Sequence, residues 1–517
     1  MKYYIKAAIL DLDGVLTKTA AQHSKAWKMA FDEYNLRRKE NEKEPFAPYN
    51  AELDYPKYID GIPRYDGVAQ FLESRAVHLP YGSPQDEDNV ETICGIGNHK
   101  NRLYKKLITE EGVEVYQKNV EQIQSWKAKG IKTAVISSSK NCKEILETSG
   151  LEDLFEVRVD GITSEEKNIP GKPKPDIFLE AARQLGVEPG ESLIVEDAQA
   201  GVAAGKAGGF RLVIGIMNSS KDEELLKKGA DVVVGNLREL DLEFKKAKNP
   251  SDLPSALKNY DELSKTFKHE SLLFFLDFDG TLSPIVEHHE DAVISEEMRD
   301  LVHKLSKKFP VAIVSGRGLA DVKKRVALPE IFYAGSHGFE ISGPGGFSKD
   351  HVEAVKVMPV FNELEPILKS KLENIKGVGF ERKKFTLAVH YRQVKEEFEP
   401  QVHEIVSEVL KKYPQVKQGG GKKVIEIRPA IDWHKGKATE FLKKELTAEK
   451  NPLSVYIGDD VTDEDAFKYI ANGYGILVGE HGQQTYADYS LKDIEEVKQF
   501  FSQLLKPTGV KNGTMES

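Results

Sequence analysis

The chain has 517 residues, of which 40% are hydrophobic and 30% charged, and it carries a formal net charge of -10. Such a balance belongs to globular domains, here with length enough to bury more than one core, and it lacks the clustered positive charge of a nucleic-acid surface. The two cysteines, Cys94 and Cys142, have no metal-type spacing, which argues against a disulfide framework and fits a reducing compartment. The opening residues, MKYYIKAAILDLDG, run straight into a strand pattern without the charged-then-apolar layout of a signal peptide. No apolar run approaches ~18 residues. A cytoplasmic protein is expected, with neither membrane nor nucleic acid as a partner.

In chain order, Ala7–Leu16 (AAILDLDGVL) is an apolar run ending in Asp-x-Asp-Gly. It reads as a buried strand that delivers Asp11 and Asp13 at its carboxyl end. Helical patterns follow at Ala20–Tyr34 and Gly67–Glu73, then strands at Thr133–Ser137, Ser192–Asp197 and Arg211–Ile216, with a helix over Asp176–Leu185. Residues 245–270, with alternating charge around Pro250 and Pro254, read as a linker holding a short helix. The first motif then recurs as LFFLDFDGTL at Leu273–Leu282, presenting Asp277 and Asp279. Strands are predicted at Val311–Gly316, Lys384–Tyr391, Lys423–Ile427, Ser454–Asp460 and Gly475–Gly479, with a helix around Val402–Lys412.

A repeat at this long spacing is a duplicated domain, not a solenoid. Alternating strand and helix signals predict an α/β protein with two doubly wound parallel-sheet cores, whose ligands sit at the carboxyl ends of the strands. The expected boundaries are a first domain at 1–244, a linker at 245–270, a second domain at 271–507 and a polar tail at 508–517.

Each Asp-x-Asp-Gly is followed in order by a strand-end serine, a lysine and a further acidic pair. The first set is Asp11, Asp13, Ser137, Lys172 and Glu196–Asp197; the second is Asp277, Asp279, Ser315, Lys435 and Asp459–Asp460 with Asp463. A single Asp-x-Asp-Gly is compatible with a core accident or a turn, but the ordered set occurs twice. A carboxylate nucleophile can accept a phosphoryl group, provided a hard cation offsets the repulsion between carboxylates and phosphate. Mg²⁺ with oxygen ligands supplies that, from Asp11, Asp13, Glu196 and Asp197 in the first half and Asp277, Asp279, Asp459 and Asp463 in the second. Ser137 with Lys172, and Ser315 with Lys435, would hold the phosphoryl oxygens. Asp13 and Asp279 would act as general acid and then base.

The motifs are spaced differently in the two halves. Asp11 and Ser137 lie about 126 residues apart and Ser137 and Lys172 about 35; in the second half the intervals are about 38 and 120. Each half therefore carries one large insertion, expected as a cap over its site, at about 18–100 and about 342–428. The first has helical patterns; the second alternates strands with a helix.

These motifs resemble the haloacid dehalogenase superfamily, which implies its fold, Mg²⁺ dependence and aspartyl-phosphate mechanism for nearly the whole chain. TKTAAQHSKAWKMAF, SSSKN (Ser137–Asn141), GKPKPDIF (Gly171–Phe178) and EDAQAG (Glu196–Gly201) resemble β-phosphoglucomutases. That resemblance implies interconversion of β-glucose 1-phosphate and glucose 6-phosphate, with Arg64 and Lys100 as cap cations and His23 at the cap hinge. The cap diverges at Glu40–Tyr58 and Leu79–Asp88, so hydrolysis of some sugar phosphate, or a non-catalytic sensor, stays open for this half. LDFDGTLSPI, AIVSGR, YAGSHGFEI, VHYR, KKVIEIRPAIDWHKGKA and YIGDDVTDEDAF resemble trehalose-6-phosphate phosphatases from end to end of the second half. The implied substrate is a non-reducing disaccharide phosphate, read by charged cap residues such as Glu426 and Lys423, with Arg392 and His337 as further candidates and Arg317 either a substrate contact or scaffolding at a helix N-terminus. No glycosyltransferase half accompanies this pattern, so trehalose 6-phosphate is expected from a separate source.

Overall fold

The computed structural model describes residues 1–59, 62–217, 222–268, 270–286, 291–421, 423–448 and 452–506. The tail expected at 508–517 lies outside these. Two compact units emerge, one from Ile5 to Leu242 and one from Met1–Tyr4 together with the chain from Glu243 onward.

The first unit is built on a six-stranded sheet in the order Val157–Val159, Lys132–Ile136, Ala7–Asp11, Ser192–Glu196, Leu212–Ile216, Val232–Val234, with every neighbouring pair parallel. Ala7–Asp11 and Ser192–Glu196 are buried along their whole length, as strands covered on both faces must be. The helix Asp176–Leu185 packs Ile177, Phe178, Ala181, Ala182 and Leu185 on the sheet and stops at Gly186 in a left-handed conformation.

The cap leaves the core through Thr17 and Lys18. It comprises helices Ala20–Glu40, Arg64–Glu73 and Ile93–Glu111 around Trp27, Phe31, Phe71 and Ile96. It does not end near 100 as expected. The last helix runs on to Glu111, and the chain returns where the Lys18 amide donates to the Glu114 carbonyl (2.9 Å) and the Tyr116 amide to that of Leu16 (2.8 Å). Sequence alone hides this end because the helical pattern is continuous across it.

The second unit has an eight-stranded sheet in the order Ser348–Asp350, Glu340–Ser342, Phe332–Gly335, Val311–Val314, Leu272–Leu276, Leu453–Gly458, Gly473–Val478, Tyr489–Leu491. The first two strands are antiparallel additions and the rest run parallel. Hence the expected cap start at 342 falls inside a core hairpin. The cap proper lays helices Val352–Leu372 and Glu399–Leu410 over an antiparallel sheet of Gly379–Arg382, Leu387–His390, Val424–Pro429 and Val416–Gly421. Along Val424–Pro429, Ile425, Ile427 and Pro429 are buried while Val424, Glu426 and Arg428 lie on the opposite, half-exposed face, the period-two pattern of a sheet covered on one side.

Residues 245–270, expected as a linker, instead pack into the second unit. Ala256, Leu263 and Phe267 are buried with Leu272 and Phe274, and the buried Lys245 ammonium donates to the Phe467 carbonyl at 2.5 Å. Their high charge conceals an amphipathic helix, Tyr260–Phe267. Among the described residues no helix is long and apolar enough to cross a membrane.

Candidate active sites

Both Asp-x-Asp-Gly segments end a central strand in the same turn. Gly14 and Gly280 adopt φ of 82° and 80°, and their amides donate to Thr17 and Ser283 carbonyls at 2.8 and 2.7 Å. A side chain at Gly280 is excluded twice, since the conformation suits glycine and an added Cβ would lie 2.0 Å from an Asp459 oxygen.

In the first unit Lys172 Nζ donates to Asp11 Oδ1 at 2.5 Å and also to Glu196. Burial opposes the Lys172 charge, yet Asp11 and Glu196 hold its pKa above the ordinary lysine value. Burial pushes the Asp11 carboxyl up, against the pull of Lys172 and with help from Glu196, Asp197 and Asp13. Glu196, expected among metal ligands, is committed elsewhere: one oxygen faces Lys172 and the other accepts from the Asp197 and Ala198 amides, both at 3.0 Å. It holds Lys172 by hydrogen bond beside Asp11. Asp13 accepts from the hydroxyls of Thr19 and, at 3.5 Å, Ser137. Ser137 Oγ in turn accepts from the Ser139 amide at 3.0 Å.

The first cap brings its cations together. Lys100 is buried, its Nζ 2.7 Å from His23 Nδ1 and facing the rings of Trp27 and Tyr104. Burial and the neighbouring Arg64 charge push its pKa well below the ordinary lysine value, against a weaker pull from Asp13. His23, stacked on Tyr104, is pushed well down by burial, Lys100 and Arg64. Arg64 donates to Asn101 Oδ1 at 2.9 Å, and that oxygen also accepts from Asn141 of the core at 2.7 Å. Thr19, Asn101 and Asn141 were not singled out from sequence, although Asn141 closes the SSSKN segment.

In the second unit Lys435 Nζ bridges Asp277 Oδ1 (2.8 Å) and Asp463 Oδ1 (2.7 Å). Asp463 also accepts from the Tyr456 hydroxyl at 2.6 Å and the Asp459 and Asp460 amides at 3.2 and 3.0 Å. It fills the position that Glu196 holds in the first unit. Ser315 Oγ accepts from the Arg317 amide at 3.1 Å, as Ser137 does from Ser139. Arg317, expected to touch substrate, holds Asp279 through both carboxylate oxygens and also donates to Asp321.

The disaccharide candidates separate. Glu426 Oε2 lies 3.4 Å from His337 Nε2. Burial alone would raise the Glu426 carboxyl, but His337, with Lys383 and Arg428, holds it at about 2. His337 sits at φ 57° against Gly316, where a Cβ would meet its ring at 2.9 Å. Lys423 instead pairs with Glu399 at 2.5 Å, and Arg392 is exposed two residues beyond its strand. A cleft of about 520 Å³ opens beside Lys435, lined by His337, Arg428, His434, Thr462, Gln483 and Gln484 among others.

Carboxylate oxygens of Asp277, Asp459 and Asp463 lie within 4.8 Å of one another. Burial, then Asp463 and Asp460, push the Asp459 carboxyl to about 7 against Lys435. Such a set of crowded hard oxygen donors suits a divalent cation. In the first unit Lys172 stands between Asp11 and Glu196, and no such three-carboxylate group occurs there among the described residues.

Two parallel-sheet cores, each with an Asp-x-Asp-Gly at a central strand end and a lysine-bridged carboxylate pair, define a double haloacid dehalogenase-type chain. Residues 5–209 match the family model for haloacid dehalogenase-like hydrolases, and 275–495 the model for trehalose-phosphatases. The chain belongs to these families, as a fusion of a haloacid dehalogenase-like hydrolase domain with a trehalose-phosphatase domain. The first half is 46% identical over 239 residues to a β-phosphoglucomutase of Mycobacterium bovis, covering 46% of this chain and 91% of that one. The second half is 45% identical over 275 residues to trehalose 6-phosphate phosphatase RA3 of Zea mays, covering 50% and 76%. A Mycobacterium tuberculosis protein named only as an uncharacterized glycosyl hydrolase is 36% identical over 511 residues, 97% of this chain, which spans just 38% of that protein's length. Among solved structures, the C-terminal domain of a C. albicans trehalose-6-phosphate phosphatase aligns with 26% identity and a TM-score of 0.42, covering 49% of this chain and 98% of that one.

Proposed function

We propose that the second unit hydrolyses trehalose 6-phosphate to trehalose and phosphate, and that the first interconverts β-glucose 1-phosphate and glucose 6-phosphate. The observation that carries this reading is the doubled constellation itself. Each site has an aspartate held by a lysine that bridges two carboxylates, and a second aspartate two residues on with partners of its own.

In each half the first aspartate, Asp11 or Asp277, attacks phosphorus and becomes an aspartyl phosphate. Lys172 or Lys435, kept charged by its two carboxylates, and Ser137 or Ser315 take the phosphoryl oxygens. Asp13 or Asp279 gives a proton to the leaving oxygen and later removes one from the incoming hydroxyl or water. Asp277 and Asp459, and in the first unit Asp11 with Asp197, would hold Mg²⁺. When bound, that ion offsets the negative charge of carboxylates and phosphate.

The caps support different acceptors. Arg64 and Lys100 place positive charge where a second phosphate must be held if the same sugar is to be rephosphorylated at another hydroxyl. In the second unit Glu426 of the cap and His337 of the core form a polar pair suited to sugar hydroxyls. Phosphorus NMR of the full chain with Mg²⁺ tests both. Glucose 6-phosphate from β-glucose 1-phosphate, primed with the 1,6-bisphosphate, and free phosphate from trehalose 6-phosphate are expected. Free phosphate in both tubes would leave the first unit a phosphatase, and no release from trehalose 6-phosphate would overturn the second assignment.

A further inference from the structure

The loop Gly479–Asp488 joins two strands of the second unit's core sheet, and its middle is held by one side chain. Glu464, which directly follows Asp463, accepts from His481 Nε2 at 2.9 Å through one oxygen and from the Tyr486 amide at 2.8 Å through the other. Both the Glu464 and His481 side chains are buried, at 7% and 6% exposure. The Gln483 amide donates back to His481 Nδ1 at 3.4 Å, and Gly482 takes φ 74° at the bend. Thr485 anchors the far side, exchanging backbone hydrogen bonds with Lys248 at 2.8 and 2.9 Å. A surface loop clamped at both ends in this way has a fixed shape, and that shape carries Gln483 and Gln484 to the wall of the cleft.

Neither glutamine side chain makes a hydrogen bond within the described residues. Arg428, also on the cleft wall, shares the half-exposed face of its strand with Glu426, and its Nε is buried without a hydrogen-bond partner. A buried guanidinium nitrogen left unmatched costs free energy until something accepts from it. The cleft thus sets two neutral amides, each both donor and acceptor, against an unmatched cationic donor. Its other charges offset one another: Lys435 is engaged by Asp277 and Asp463, Lys468 lies 4.0 Å from Asp465, and Glu464 is taken by His481. Paired donors and acceptors without dominant charge are what ring hydroxyls require.

We infer that Gln483 and Gln484, with Arg428 on the same cleft, form the subsite for the sugar unit remote from the phosphate, and so set selectivity for a disaccharide ester over smaller phosphate esters. This rests on the trehalose 6-phosphate reading above.

The test uses the full chain with Asp11→Asn to silence the first unit, comparing trehalose 6-phosphate with p-nitrophenyl phosphate, which has no second sugar. The double variant Gln483→Ala/Gln484→Ala is expected to lower the ratio of the two kcat/KM values by about tenfold or more, as lost hydrogen bonds of ordinary strength imply. Both residues are exposed, so folding should be unharmed. Shortening to Gln483→Asn/Gln484→Asn keeps the amides and should lose less. A ratio within about twofold of the parent overturns the subsite while leaving the disaccharide reading intact. No phosphate release from trehalose 6-phosphate by the Asp11→Asn parent overturns that reading and the subsite with it.

Discussion

Arg317 grips Asp279 through both carboxylate oxygens, at 2.7 and 2.6 Å, whereas Asp13, at the same place in the first unit, meets the hydroxyls of Thr19 and Ser137. A planar guanidinium fixes a carboxylate's orientation in a way one ammonium cannot. Arg317→Lys should therefore lower kcat for trehalose 6-phosphate by about 10–100-fold with little change in KM, because Asp279 would lose its aim. Steady-state kinetics decide it; an unaltered kcat would remove Arg317 from any positioning role.

The two nucleophile candidates sit in separate sheets, so their losses should be separable. Asp11→Asn should reduce turnover of β-glucose 1-phosphate by about a thousandfold or more and spare phosphate release from trehalose 6-phosphate, with Asp277→Asn doing the reverse. Assays of both substrates on both variants check this. Loss of both activities in either variant would mean that the two halves do not work independently.

The parts readable beforehand were those set by local pattern. Apolar runs ending in Asp-x-Asp-Gly announced the central strands, and the ordered Ser, Lys and acidic residues announced the side chains that gather at their ends. What escaped was set by long-range partners. Arg317, two residues after Ser315, the serine expected to bind phosphate, reads from sequence as a substrate contact or equally as scaffolding at a helix start; its guanidinium finds Asp279. Lys423 shares a strand segment with Glu426, yet φ of 64° places it at the strand's start, where it pairs with Glu399. The packing of 245–270 was hidden because a helix needs one buried face only, and Leu263 with Phe267 supplies it amid many charges.

Metal dependence should be visible without turnover. In the absence of a cation, burial and neighbouring carboxylates hold Asp459 at about 7, which marks strain that a divalent ion would relieve. Mg²⁺ should raise the unfolding temperature of the second unit, and Asp459→Asn should lose most of that increment. Calorimetry with and without chelator measures both. An equal Mg²⁺ increment in parent and variant would place the ion elsewhere.

The Glu426–His337 pair predicts a pH window. The Glu426 carboxyl lies at about 2 in the folded chain against an ordinary 4.5. A depressed folded value means that the group stabilises fully above about 4.5 and ceases to as pH falls towards about 2. Relative to the parent, Glu426→Gln should be less stable at neutral pH by on the order of 2 kcal/mol, and the gap should close across that acid window. Denaturant midpoints against pH show it; a gap independent of pH would mean that the pair is not ionised.

Lys100 makes the opposite case. It is buried among Trp27, Tyr104 and His23, and burial with the Arg64 charge drives its pKa far below the usual lysine value. A lysine whose folded pKa is lowered takes stability away as pH falls from about 10.5 through the lowered value, because the unfolded chain binds the proton more readily. Below the ordinary lysine range the buried amine is therefore a cost to the fold, one that an anionic substrate held there would offset. Lys100→Met, an unbranched apolar chain one atom shorter that fills much of the same aromatic surroundings, should stabilise the first unit by about 1–2 kcal/mol. The same substitution should raise KM for β-glucose 1-phosphate by roughly tenfold or more, since the cap loses one of its two cations. Thermal unfolding and kinetics on one preparation measure both quantities. Stabilisation accompanied by weaker binding identifies Lys100 as a group kept for its ligand. Destabilisation would mean that the ammonium serves the fold, through His23 and the rings around it.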